Sequence, residues 1–229
     1  MSSYRIERVG SRAEPVVVID DFHPDADGLR EAALRADFQP RARYYPGLQA
    51  PADPAHLKPV MPLVGEVLDT VFGGQGGQLV QCAYSLVTTP DAQLQPIQRL
   101  PHIDTPDPGR VALLHYLSDG SLGGTAFYQH RATGLDALDP EAFETYREAL
   151  EGEGLPKAGY MRGSDERFAM IHHVEARPNR AVLYRSRLLH SGMIPDGAAL
   201  SADPASGRLT LNSFFQLRLR GPRSPGSPA

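Results

Sequence analysis

His102-Ile103-Asp104, followed 86 residues after Asp104 by His190, is the part of this chain whose residue types and spacing could do chemistry. One carboxylate and two imidazoles can occupy one face of an octahedral iron(II) ion. Three positions then stay open for an oxidisable co-substrate, dioxygen and water. The H-x-D spacing matters because residues i and i+2 of an extended strand project to the same face, so His102 and Asp104 can reach one ion. His190 must then arrive on another strand of a closed or sandwiched sheet. The pair alone is a short motif of low specificity, and its weight depends on what surrounds it.

Such a site needs strands to hold it. Val16 to Ile19 reads as a short apolar strand ended by Asp20-Asp21. Asp25 to Ala36 reads as a helix, acidic near its start, with Leu29, Ala33 and Leu34 on one side. Arg41 to Asp53 reads as a loop rich in Tyr, Pro and Gly. His56 to Phe72 is helical in its second half, with Leu63, Val64, Val67, Leu68 and Val71 at helical spacing, and stops at Gly73-Gly74. Beyond it the pattern turns to strands: Gln78 to Thr88, Arg110 to Ser118, Gly124 to Gln129, Phe168 to Glu175, Ala181 to Arg185 and Arg208 to Leu219. One further helix, Pro140 to Glu151, has Pro140 near its first position. Short strands with turn signals, preceded by helices, predict a mainly β chain with supporting helices (α+β), a sandwich or jelly roll.

The 229 residues suit one structural domain: an N-terminal strand and helices over 1–77, a β core over 78–220, and a Pro/Ser/Gly-rich disordered tail over 221–229. A net charge of −4 gives no reason to expect nucleic acid as a partner. The single cysteine, Cys82, excludes an internal disulfide framework and a Cys-rich zinc site. The polar N-terminus lacks the apolar region of a signal peptide, and no run approaches a membrane span, so a soluble cytoplasmic protein is expected.

Around the candidate ligands a resemblance becomes specific. His102-Ile-Asp104, a short loop, the strand Arg110-Val-Ala-Leu-Leu-His-Tyr116-Leu-Ser-Asp, and the turn Gly123-Gly124-Thr125 together resemble the prolyl-hydroxylase-type iron(II)/2-oxoglutarate dioxygenases. Ala181 to His190 resembles the strand that delivers their distal histidine, and Arg208 to Phe215 the strand bearing their oxoglutarate-binding basic residue. The likeness spans roughly residues 78–217. It implies a double-stranded β-helix with iron bound by His102, Asp104 and His190, and 2-oxoglutarate chelating the metal through its 1-carboxylate and keto oxygen. It further implies dioxygen as the second co-substrate and release of succinate and carbon dioxide. Retention of Asp104 favours hydroxylation, since related halogenases replace that carboxylate with a small residue.

The 5-carboxylate of the co-substrate would need a buried cation, and Arg208 suits that role because a guanidinium offers a planar fork and is not neutralised by burial. Periodicity supports this separately: Arg208, Thr210 and Asn212 share one face of their strand, Leu209 and Leu211 the other. Thr210 could give the same carboxylate a second hydrogen bond, and Asn212 could reach a metal ligand or the substrate. The alternative for this strand is a solvated edge, which alternates in the same way. Tyr116 and Tyr84 match positions where the related enzymes carry tyrosines, with ordinary core packing as the alternative. The 18-residue interval from His190 to Arg208 exceeds the family pattern. The extra residues, Gly192 to Gly207, read as an inserted loop, a lid or surface decoration, with Arg185 and Arg187 as fallback cations.

Six histidines remain. His172 and His173 are adjacent and face opposite sides of a strand, so they are poor joint ligands. His115 is expected in packing, His130 near the substrate or in packing, and His23 and His56 at the surface or at helix starts. The substrate, whether small molecule, peptide or protein side chain, is not identified by these motifs, nor is the oligomeric state. Two other function classes stay open: a cupin-like metal or small-molecule sensor without turnover, and an interaction protein with a vestigial site.

Overall fold

The alternation read from the strands builds two antiparallel sheets in the computed structural model, which describes residues 4–219. The expected disordered tail, 221–229, lies outside the described residues. The strands are β1 (Tyr4–Val9), β2 (Glu14–Ile19), β3 (Gly47–Pro51), β4 (Gly74–Val87), β5 (Arg110–Tyr116), β6 (Thr125–His130), β7 (Phe168–Val174), β8 (Ala181–Arg185), β9 (His190–Gly192) and β10 (Arg208–Leu219). Three α-helices accompany them: α1 (Ala26–Leu34), α2 (Met61–Thr70) and α3 (Pro140–Gly152). One sheet has seven strands in the order β1-β2-β8-β5-β10-β4-β3, and the other has three, β7-β6-β9.

The faces of the large sheet follow from register. Thr210 of β10 opposes Tyr116 of β5 and Ser85 of β4, and Leu211 opposes His115 and Tyr84. Directly opposed residues point the same way, so Arg208, Thr210, Asn212 and Tyr116 share the inner face, and Leu209, Leu211 and Tyr84 the outer one. Inward, Val16, Val18, Ala112, Tyr116, Val182 and Tyr184 meet Phe127 and Val174 of the small sheet, which makes a sandwich of the two. Outward, α2 covers Leu113, Leu183 and Phe215 with Val64, Val67 and Leu68, and α1 covers Tyr84, Leu209 and Leu211 with Leu29 and Ala33. The small sheet is backed by Ala142 and Tyr146 of α3.

Local chemistry sets the helix starts. The Asp25 side chain accepts from the Gly28 N–H at 3.0 Å, and that of Asp139 from the Ala142 N–H at 3.0 Å, each satisfying an otherwise unpaired first-turn donor. Pro140 occupies the first turn of α3, where its missing N–H costs nothing.

One sequence expectation needs correction, and two features were not read in advance. The span 41–53, read as loop, contains β3, which pairs with β4 through Ala50–Tyr84 and four neighbouring pairs. The charged N-terminal residues form β1 against β2. His23 is buried, 6% exposed: Nδ1 accepts from the Asp25 N–H, and the ring engages the His56 carbonyl at 2.9 Å.

Candidate metal centre and its cavity

His102 and His190 are brought together by their backbones. Each donates its N–H to the other's carbonyl at 2.9 Å, an antiparallel hydrogen-bonded pair that directs both side chains to one side. The Asp104 N–H donates to the Ser186 carbonyl at 2.9 Å, fixing the carboxylate two residues further along. The His102 and His190 ring centroids lie 4.5 Å apart, and His190 Nε2 is 3.9 Å from Asp104 Oδ1. One ligand atom from each of His102, Asp104 and His190 can be chosen so that all lie within 4.8 Å of one another, a group able to hold a metal ion.

The electrostatics favour a ligand set over a salt bridge. Burial lowers His102 to a pKa of about 4, helped by His190 beside it, and burial likewise lowers His190 to about 4. Both rings are therefore neutral near pH 7, as metal ligands must be. Desolvation raises the Asp104 carboxyl above its usual range, opposed by its neighbours His102 and Arg110. Nδ1 of His190 lies 2.9 Å from the Leu188 carbonyl. Such a contact requires the proton on Nδ1 and leaves the Nε2 lone pair for a metal. His190 is buried, whereas His102 and Asp104 are solvent-accessible and line an open cavity, so their ligand atoms stay reachable.

That cavity, about 740 Å³, lies between the sheets and reaches from the three ligands to Arg208, Thr210 and Asn212 on the inner face of β10. Arg208 is 5% exposed. Its Nη2 donates to the Gly124 carbonyl at 2.9 Å, its Nε has no partner, and no carboxylate pairs with it among the described residues. A buried guanidinium left this way is costly unless an anion completes it. The glycine turn makes the carbonyl contact feasible: Gly123 has φ +85, and a Cβ on Gly124 would meet the Val174 carbonyl oxygen at 2.0 Å. The Asn212 amide contacts Ser85 Oγ at 3.2 Å through one end only, its Oδ1 lacking a partner.

The other predicted residues divide. Tyr116 is fully buried on the inner face but does not border the cavity; its hydroxyl shares a 2.7 Å hydrogen bond with Thr125 Oγ1, and its ring lies 5.9 Å from the Arg208 guanidinium. It supports Arg208 from behind. Tyr84 is a correction: the register puts it on the outer face against α1, away from the cavity. Arg185 and Arg187 both pair with Glu14, and Arg185 also donates to the Pro108 and Phe72 carbonyls, which excludes them as free anchors. His130 lies in packing, between Tyr146 and Phe168 and bonded to Thr133 and Glu153. His115 is also in packing, bonded to Asn179. His172 lies 2.6 Å from Glu7, outside the cavity.

Sequence reasoning missed part of the wall. Tyr45 borders the cavity near Arg208 with an unpartnered hydroxyl, and burial pushes its pKa up to about 12. Tyr160 borders it too, its hydroxyl donating to the Thr89 carbonyl at 2.7 Å. Tyr45 came from the 41–53 segment without being singled out, and nothing local marks Tyr160. Phe143, Tyr146, Arg147 and Leu150 of α3 also line the cavity; their 0, 3, 4, 7 spacing was visible as a helix face. Within the 192–207 insertion, Gly192 and Ile194 form cavity wall, and Ile194 packs with Val87 and Tyr160.

The fold recurs among solved structures. The non-heme alpha-ketoglutarate-dependent epimerase SnoN from nogalamycin biosynthesis aligns with a TM-score of 0.52 at 16% identity, over 95% of this chain and 88% of SnoN. HygX from Streptomyces hygroscopicus, crystallised with nickel, 2-oxoglutarate and hygromycin B, aligns with a TM-score of 0.50 at 15% identity, over 92% of this chain and 84% of HygX. At these identities the likeness defines a class of fold. The chain itself belongs to DUF6445, a family of unknown function, which it matches over residues 1–215. No curated protein matches the sequence.

Proposed function

We propose that this protein is an iron(II)- and 2-oxoglutarate-dependent dioxygenase of the double-stranded β-helix type, on the prolyl-hydroxylase-like pattern, hydroxylating a small molecule or a peptide or protein side chain in the cytoplasm. The observation that carries the reading is Arg208: a buried guanidinium without a carboxylate, bordering the same cavity as a His/Asp/His group. A sensor of metal alone has no use for that cation. The folds of SnoN and HygX support the reading, because one is described as alpha-ketoglutarate dependent and the other holds 2-oxoglutarate.

His102, Asp104 and His190 would hold iron, with the Leu188 carbonyl keeping His190 in the tautomer that presents Nε2. Iron with 2-oxoglutarate and dioxygen supplies a two-electron oxidation of substrate, with release of succinate and carbon dioxide. The protein binds and orients. Arg208 takes the 5-carboxylate through its free edge, Thr210 adds a hydroxyl beside it, and the Gly124 carbonyl and Tyr116 hold the guanidinium in place. Asn212 offers a free amide end to the co-substrate or substrate.

Adding iron(II) and then 2-oxoglutarate anaerobically should produce the visible absorption of a chelated complex. A stoichiometric iron complex whose spectrum 2-oxoglutarate never perturbs would overturn the proposal. Tight co-substrate binding with no succinate across a broad substrate panel would favour the sensor.

A further inference from the structure

The cavity has more cation than the co-substrate needs. Four arginines border it, Arg43, Arg110, Arg147 and Arg208, against a single acidic residue, Asp104, in a protein of net charge −4. Two of the arginines are accounted for. Arg147 is paired with Glu144 and Glu151 on its own helix, and Arg208 faces the co-substrate end. Arg43 is exposed at the rim, 5.3 Å from the Tyr44 ring. Arg110 differs from all three. It is half-buried at the start of β5, and its backbone carbonyl accepts from the N–H of Ser186, the residue whose carbonyl holds Asp104.

The Arg110 side chain is held by one edge. Its Nε donates to Gln216 Oε1 at 2.9 Å. Gln216 Nε2 in turn donates to Asp107 Oδ2 at 3.1 Å, and Asp107 Oδ1 accepts from the Gly109 N–H at 2.7 Å. Gln216 thereby stands between the guanidinium and the Asp107 carboxylate. Nη1 and Nη2 of Arg110 make no hydrogen bond or ion pair among the described residues. A guanidinium fixed through Nε, with its two-pronged end free beside a cavity, is a receptor for a planar or tetrahedral oxyanion. The rest of the wall is of another kind: Ile97, Leu100, Phe143 and Leu150 present an apolar surface from α3 and the segment before His102.

We propose that the substrate is an organic anion whose carboxylate or phosphate is bound by Arg110 beside the metal ligands, with an apolar body lying against Ile97, Leu100, Phe143 and Leu150. This deepens the dioxygenase reading and rests on it for the word substrate. The volume permits it: about 740 Å³ lies within the roughly 300–1,000 Å³ of sites that enclose drug-sized ligands, so a small diacid leaves room for a second molecule. Gln216 is a positioning residue here, setting which edge of Arg110 is presented.

The test is calorimetric binding to the full chain loaded with nickel(II) and 2-oxoglutarate. The probes are 4-phenylbutyrate, 3-phenylpropyl phosphate and the uncharged 4-phenylbutyramide. The acids should bind at least about tenfold more tightly than the amide, the scale of a hydrogen bond to a charged group. Arg110→Gln should remove that preference, and Arg110→Lys should restore part of it. Whichever acid binds better identifies the oxyanion. Equal binding of acid and amide, no binding of either acid, or an undiminished preference in Arg110→Gln would overturn the proposal. 2-Oxoglutarate binding is measured in the same samples. Its retention by Arg110→Gln shows that the fold survives; its absence from the wild type while the acids still bind would sink the dioxygenase reading and leave Arg110 as an anion site.

Discussion

Arg208 holds one protein acceptor, the Gly124 carbonyl, and its Nε has no partner among the described residues, which on the dioxygenase reading leaves an edge of the fork for the co-substrate. Replacing it with methionine should weaken 2-oxoglutarate about a hundredfold or more, since two hydrogen bonds to a charged group contribute roughly 1.5–3 kcal/mol each. Iron(II) binding in the same variant should be unchanged, and equilibrium dialysis of metal and co-substrate separates the two. Arg208→Lys keeps the charge without the fork and should lose less. Gly124→Ala would drive a methyl group into the Val174 carbonyl, so the turn must move and carry the Arg208 acceptor with it; co-substrate affinity should fall although no ligand-contacting side chain has changed. Tyr84→Phe should leave 2-oxoglutarate affinity where it is, because Tyr84 faces α1. A titration showing a loss in that variant would contradict the register of β4.

At the scale of elements, α2 and α1 cover the outer face of the sheet whose inner face carries the site. Leu68→Ala in α2 should cost about 2–5 kcal/mol in denaturant unfolding, the usual range for a buried leucine, and should leave metal affinity unaltered. The same division explains what could be read in advance. β10 was legible with its faces, because Arg208, Thr210 and Asn212 alternate with Leu209 and Leu211, and period-2 alternation survives in a strand buried on both sides only when one side lines a cavity. β1 and β3 were not legible. Both are edge strands of the large sheet, and edges tolerate the charges of Tyr4–Val9 and the Gly and Pro of Gly47–Pro51 that make a sequence look like loop. Tyr84 was misplaced for a related reason. Its neighbours show that it lies in a strand, but only pairing with Leu211 settles which face it takes, and register is a property of two strands. The ligand group was legible because it depends on residue type and on one i, i+2 relation; the α3 wall was visible as a stripe but not as a cavity.

Across the whole molecule, three imidazoles, the buried His190 and His115 and the cavity-facing, solvent-accessible His102, are lowered to about 4, each chiefly by partial loss of solvent around the ring. Between about pH 6.5 and 4 the unfolded chain binds protons that the folded, metal-free protein refuses. Stability is therefore full above pH 6.5 and is lost as pH falls toward 4, by about 1.4 kcal/mol per pH unit for each proton of difference at the buried His190 and His115, and by less at His102, whose charge solvent screens. The raised Asp104 carboxyl works in the opposite sense, so the net slope is smaller than three imidazoles alone would give. Urea unfolding of metal-free protein across pH 4.5–7 checks the sign, and a stability that rises on acidification would refute it. Finally, the reciprocal backbone bonds between His102 and His190 set the spacing of the two chain segments that carry the imidazoles. A site whose segments are tied by peptide groups has less freedom to favour one divalent metal by closing around it. Competition among metals is then governed by intrinsic ligand preference, in which nickel, copper and zinc outrank iron(II). On the dioxygenase reading, which ion occupies the site becomes a matter of supply, and preparations grown in media of different trace-metal content should differ in specific activity until they are stripped and reloaded with iron.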